Sequence, residues 1–192
     1  MIQKVSYRVE QGNVPYQVLT MNVYWRKLPY ILDRLREHQY DIRKAHLKKD
    51  MTTLYVKNTD HPISKEMTKK ELDEIIADGY HDCYTKQSKN QIILPINTEI
   101  LLYNVPGSKN TTLEFSCQDR MGLLSDMLEL LTIFPYEIYR GNISTVGPYA
   151  HNMFFLQQNK KPLKKEDIDY IMNVFDYEVK SRISPSYKEP SL

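Results

Sequence analysis

Leu113-Glu114-Phe115-Ser116-Cys117-Gln118-Asp119-Arg120-Met121-Gly122-Leu123-Leu124-Ser125-Asp126 changes its period halfway along. Leu113, Phe115 and Cys117 alternate with polar residues, which predicts a strand with one buried face. From Leu123 onward, Leu123, Leu124, Met127, Leu128 and Leu131 recur at helical spacing. Asp119-Arg120-Met121-Gly122 must therefore turn a strand into a helix within a few residues.

The same strand and helix recur upstream. Sliding the chain on itself by 96 residues sets Leu19 and Met21 on Phe115 and Cys117. It sets Leu28, Ile31, Leu32 and Leu35 on Leu124, Met127, Leu128 and Leu131, and Tyr40-Asp41-Ile42 on Tyr136-Glu137-Ile138. Val5, Tyr7 and Val9 fall on Leu101, Tyr103 and Val105. Farther on, Pro62, Lys65 and Glu66 match Pro162, Lys165 and Glu166 at a shift of 100, the difference being absorbed by a longer turn near Thr145 to His151. A shared tripeptide and a shared Pro-x-x-Lys-Glu pattern make chance a poor account of the match.

Each copy reads as a leading strand, a second strand, a helix, two strands and a second helix. The second helices carry Leu72, Ile75, Ile76 and Ile168, Ile171, Met172. A short closing strand is expected near His81–Tyr84 and Tyr177–Lys180. The order is βαββαβ with an extra leading strand, an α+β fold of two tandem ferredoxin-like units with antiparallel sheets and helices on one face. Residues 1–85 make the first domain and 100–180 the second. Residues 86–99 link them, and Ile92-Ile93-Leu94-Pro95-Ile96 is able to add an edge strand. Residues 181–192 form a tail expected to be disordered.

Composition narrows the function classes. Net charge is +2, so the overall balance advertises neither nucleic acid nor an anionic membrane. Cys83 and Cys117 are too few for a disulfide framework and lack metal-ligand spacing, which predicts a reduced, intracellular, cytoplasmic protein without a bound metal. The longest apolar clusters are far too short to span a bilayer. No nucleophile or acid–base pair can be placed, so the expectation is a non-catalytic protein without a cofactor.

The stretch from Leu113 to Asp126 resembles the ACT domains of bacterial uridylyltransferase and of plant ACT-domain repeat proteins, whose pattern is a strand, Asp-Arg-Pro-Gly-Leu-Leu and a helix. Gly141-Asn142-Ile143-Ser144-Thr145-Val146-Gly147 resembles the family's second strand, and Asn152-Met153-Phe154-Phe155-Leu156 its third. Met121 stands in place of the usual Pro, and Asn152 in place of the usual Asp. In the first copy the positions of Asp119, Arg120, Met121 and Gly122 hold Val23, Tyr24, Trp25 and Arg26, so the loop pattern is absent there.

The resemblance implies a regulatory module that binds an amino acid, with glutamine as the family's suggestion, acting in a homodimer and on a separate enzyme. The residues implied for the site are Asp119, Arg120, Met121, Gly122, Leu123, Asn142, Ile143 and Ser144. Physically, a strand-to-helix turn offers free amides at a positive helix end, which suits a carboxylate, and Gly122 keeps the approach open. Asp119 would take the ammonium or merely cap the helix, and Arg120 would steer an anion or stand solvated. Ser144 and Thr145 would face the pocket or belong to an ordinary strand. Bulky Tyr24, Trp25 and Arg26 are expected to close the first copy's pocket. Two other functions compete: a ligand-free dimerisation scaffold, and an RNA-recognition motif, which shares the strand order but whose aromatic signature is missing here.

Overall fold

The computed structural model describes residues 9–10, 16–58, 68–85, 94–95 and 97–180. Most of the first leading strand, the Pro62 to Glu66 match, most of the Ile92 to Ile96 segment and the tail from 181 lie outside them. The first copy comprises β1 (Val9–Glu10), β2 (Tyr16–Met21), α1 (Leu28–Glu37), β3 (Tyr40–Lys48), β4 (Met51–Asn58) and α2 (Lys69–Thr85). The second comprises β5 (Glu99–Asn104), β6 (Thr111–Gln118), α3 (Leu123–Thr132), β7 (Glu137–Val146), β8 (Tyr149–Gln157) and α4 (Lys165–Lys180).

All eight strands join one antiparallel sheet in the order β1-β2-β4-β3-β7-β8-β6-β5. The fold is α+β, two ferredoxin-like units in tandem. One detail differs from the sequence expectation. His81–Tyr84 and Tyr177–Lys180 are not closing strands but the last turns of α2 and α4. The place beside β2 and β6 that a closing strand would take is held by β1 and β5. Each described copy therefore runs ββαββα, the same four-stranded unit with its edge strand supplied from the front. The ending of α2 is fixed by Asp82, which accepts from Arg34 Nε at 2.6 Å and Nη2 at 3.0 Å and so ties α2 to α1.

The sequence explains the helices. Pro29 sits in the first turn of α1, where its missing N–H leaves no bond unmade. Leu28, Ile31, Leu32 and Leu35 bury one face of α1. Helix α3 is buried along its whole run from Leu123 to Leu131 because it packs on the sheet and against α1. Each buried leucine there contributes about 1.5–3 kcal/mol over an exposed one. Phe115, Phe154 and Phe175 meet edge-to-face with centroids 5.5 and 6.1 Å apart and join the sheet to α4. Gly79 lets α2 approach α1 closely, since a Cβ there would come within 2.9 Å of the Ile31 Cα.

The two copies meet along β3 and β7, with Ala45 opposite Ile143, His46 opposite Asn142 and Leu47 opposite Gly141. His46 and Asn142 are the same position in successive copies, and their Nδ1 and Oδ1 lie 3.3 Å apart. An approximate two-fold axis runs through this pair. Both central strands also carry the same bulge, between Ile42 and Lys44 in β3 and between Ile138 and Arg140 in β7.

Candidate functional site

The β6–α3 turn of the second copy faces the α1–β3 junction of the first, and a cleft lies between them. Its walls include Arg36, Tyr40, Asp41 and Ile42 on one side and Asp119, Arg120, Gly122 and Leu123 on the other, with Ile143, Thr145 and Asn152 beneath. The structure brings Asp119, Arg120, Gly122, Leu123 and Ile143 of the sequence candidates together along this cleft. Met121 does not line the cleft.

Asn142 and Ser144 stand elsewhere. Side chains alternate across a pleated strand, and Ile143 takes the helix-facing side of β7. Asn142 pairs with His46, and Ser144 Oγ donates to the His151 carbonyl at 3.2 Å. Both lie on the open face of the sheet, away from the Gly122 turn. The resemblance located the strand but not its parity.

Gly122 caps α3 with φ at +81°, a left-handed conformation that suits glycine. No side chain caps α3, so Asp119 is not the cap. Instead Asp119 Oδ2 accepts from Arg43 Nη1 at 3.0 Å and from Thr145 Oγ1 at 2.8 Å. Arg120 folds over the turn to Asp126 and to the Met121 carbonyl. Leu123 N–H donates to the Arg120 carbonyl, and the amides that follow it are the orphan donors of a helix start.

Two groups lining the cleft, Asp41 and Arg36, and one bonded to its lining, Arg43, were not singled out from the sequence. Arg43 occupies the β3 bulge, which aims it at both Asp119 and Asp41, the latter at 2.9 Å from Nε. Burial pushes the Asp41 carboxyl above its ordinary range, Arg43 opposes the shift and Asp119 adds to it. Arg36 reaches from the end of α1 across Gly122. The repeat of Tyr40-Asp41-Ile42 as Tyr136-Glu137-Ile138 marked Asp41 as a shared position; nothing in the sequence marked the bulge.

Asn152 is the outlier. It is 3% exposed and lines the cleft. Its Nδ2 donates to Met127 Sδ at 3.1 Å, while its Oδ1 has no hydrogen-bond partner. An unmade bond of this kind costs about 1–3 kcal/mol. The free space in the cleft is about 20 Å³, room for about one water.

The corresponding place in the first copy is filled from within. Arg26, at the position of Gly122, donates from Nη1 to Thr132 O and from Nη2 to Phe134 O and Tyr136 O, each at 2.8 Å. Its guanidinium lies 4.5 Å from the centre of the buried Trp25 ring. Tyr24 and Trp25 both donate to Glu137.

Other sequence candidates resolve plainly. His81, Asp82 and Cys83 lie on α2, with Cys83 Sγ donating to the Tyr80 carbonyl. Among the described residues, no group of three His, Cys, Asp or Glu is placed to hold a metal ion. Among them, too, no helix is long and apolar enough to cross a membrane.

No family model matches the chain, and no curated protein does. Among solved structures, aspartate kinase from Synechocystis is similar over 88% of this chain, with 11% sequence identity and a TM-score of 0.47. The chain spans 28% of that enzyme's length.

Proposed function

We propose that the chain is a non-catalytic regulatory module that binds a small ligand, an amino acid, in the Gly122 cleft. The observation that carries this reading is Asn152 Oδ1, a buried acceptor lining the cleft with no donor. A ligand ammonium supplies that donor. The uncapped start of α3 supplies amides for a carboxylate. Arg36 is a flexible side chain lying over Gly122 and is the group a ligand displaces. Glutamine is the first amino acid to test, on the sequence resemblance, and a separate enzyme is the expected target of regulation. A homodimer, and a cytoplasmic setting with neither nucleic acid nor membrane as partner, complete the reading.

A thermal-shift screen of the twenty amino acids tests it. A ligand at about 100 times its Kd stabilises by about 2.7 kcal/mol. Asn152→Leu removes the acceptor while keeping the branching and heavy-atom count of the side chain, so it should abolish the shift, and an unliganded Tm measured beside it separates lost binding from the cost of the larger methyls.

A second reading, a ligand-free scaffold, is favoured by the small free volume of about 20 Å³ and by Arg36 over Gly122. It predicts that no amino acid shifts the transition at millimolar concentration.

A further inference from the structure

A larger cavity of about 760 Å³ opens at the other end of the second copy, and its lining shares no residue with the Gly122 cleft. That volume is in the range of small-molecule sites. Four turns and strand ends converge on it. The β3–β4 turn brings Lys49, the β5–β6 turn brings Lys109, and the turn between β8 and α4 brings Lys160. Among the described residues none of these three ammonium groups makes a hydrogen bond or ion pair, the Lys109 turn being held instead through its backbone carbonyl, which accepts from Gln157 Nε2 at 3.3 Å. The one carboxylate in the lining, Glu137, is already engaged by Tyr24 and Trp25. The lining therefore carries three lysines against one carboxylate, a net positive charge.

Two tyrosines complete it. Tyr139 is the bulged residue of β7 and is 50% exposed; a bulge re-aims a side chain in this way. Tyr24 also lines the cavity and is fixed by its bonds to Glu137 at 2.8 and 3.0 Å. Gln157 Nε2 donates to Asn110 Oδ1 at 2.8 Å, which ties the Lys109 turn to the end of β8.

The Lys160 turn carries an independent mark. Gln158 and Lys161 exchange backbone bonds of 2.9 and 3.0 Å around Asn159 and Lys160. Both central residues have positive φ, 53° and 61°. This is the two-residue hairpin turn whose second position favours glycine. A lysine there is held in a conformation that a side chain disfavours, and the residue so held lines the cavity beside two other lysines. Backbone strain of this kind gathers at ligand clamps.

We propose that this cavity binds a nucleoside phosphate, the phosphates meeting Lys49, Lys109 and Lys160 and the planar base lying against Tyr139 and Tyr24. The reading does not depend on the amino-acid cleft, and either can fail without the other.

Isothermal titration of the full chain with ATP, adenosine and tripolyphosphate tests it. ATP should bind below millimolar Kd, with affinity falling as salt rises. Adenosine should bind far more weakly. Lys160→Gly should weaken ATP about fivefold, the loss of one exposed charge contact, and should raise Tm because glycine relieves the turn. Tyr139→Ala should weaken ATP and leave tripolyphosphate unchanged. The proposal is overturned by no ATP binding at millimolar concentration, by adenosine binding as tightly as ATP, or by ATP and tripolyphosphate binding alike. It is equally overturned by ATP affinity that both Lys160→Gly and Tyr139→Ala leave unchanged.

Discussion

Ser125 Oγ lies 3.0 Å from the Pro29 carbonyl, and the two residues are 96 apart, the same position in successive copies. The contact sits where α3 crosses α1, as the His46–Asn142 pair sits where β7 joins β3. The approximate two-fold axis thus passes through a helix pair on one layer and a strand pair on the other. Asp33 Oδ1, 2.8 Å away, competes for the same hydroxyl proton. Ser125 is 1% exposed, so its removal takes a donor from the buried Pro29 carbonyl and from the half-buried Asp33. Ser125→Ala should destabilise by about 1–3 kcal/mol. Urea unfolding measures it, and an unchanged midpoint would mean the helix crossing is not fixed by this bond.

Arg26 fills, in the first copy, the place that corresponds to the Gly122 turn of the second. Its three bonds of 2.8 Å satisfy carbonyls at and beyond the end of α3, a place where positive charge is favoured. Hydrogen bonds to charged groups are worth about 1.5–3 kcal/mol each and do not add fully, so Arg26→Ala should cost about 2–4 kcal/mol. Lysine lacks the planar fork, and Arg26→Lys should recover less than half of the loss. If Arg26→Ala unfolds at the same denaturant concentration as the parent, the first cleft is not held shut by this residue.

How much of this was legible beforehand follows physical lines. The repeat was plain because buried faces recur at fixed spacing, as Leu28, Ile31, Leu32 and Leu35 recur in α3. The ends of α2 and α4 were not, because short segments such as Tyr177–Lys180 fit either period, and what decides them is where α2 meets Arg34 and what fills the sheet edge. Ile143 lines the cleft while its neighbours Asn142 and Ser144 take the opposite face of β7, since a motif gives a strand's position and the pleat gives each side chain's face. Arg43 and Tyr139 depend on two bulges, which arise from pairing between distant strands and leave no local mark.

Tyr136 links pH to stability. Burial first, then its hydrogen bond to Asp167 at 2.9 Å, push its hydroxyl up to about 12 from an ordinary value of 10.0. Between those values the folded protein keeps a proton that the unfolded chain gives up. The unfolded state is then favoured as pH rises. The contribution of Tyr136 should be intact below pH 10 and fall away toward pH 12. Comparing unfolding midpoints of the parent and Tyr136→Phe across that window isolates it, because other titrating groups are common to both. Parallel pH curves for the two proteins would show that Tyr136 titrates normally.

Gly122 and Arg36 supply a test of the cleft that needs no ligand. A Cβ on Gly122 would meet Arg36 Nη1 at 2.7 Å and Cδ at 2.9 Å, and the backbone there has φ at +81°. Two penalties are therefore separable. The left-handed backbone costs a side chain about 1–2 kcal/mol whatever the space around it, whereas the crowding ends once Arg36 is shortened. Gly122→Ala should destabilise the parent by more than the backbone share, and should cost less when made in Arg36→Ala. The double-mutant cycle should show coupling of about 0.5–1 kcal/mol, the size seen for residues in contact. Costs that add within about 0.3 kcal/mol would place Arg36 away from Gly122 in solution. The cleft would then stand open without a ligand to displace the guanidinium.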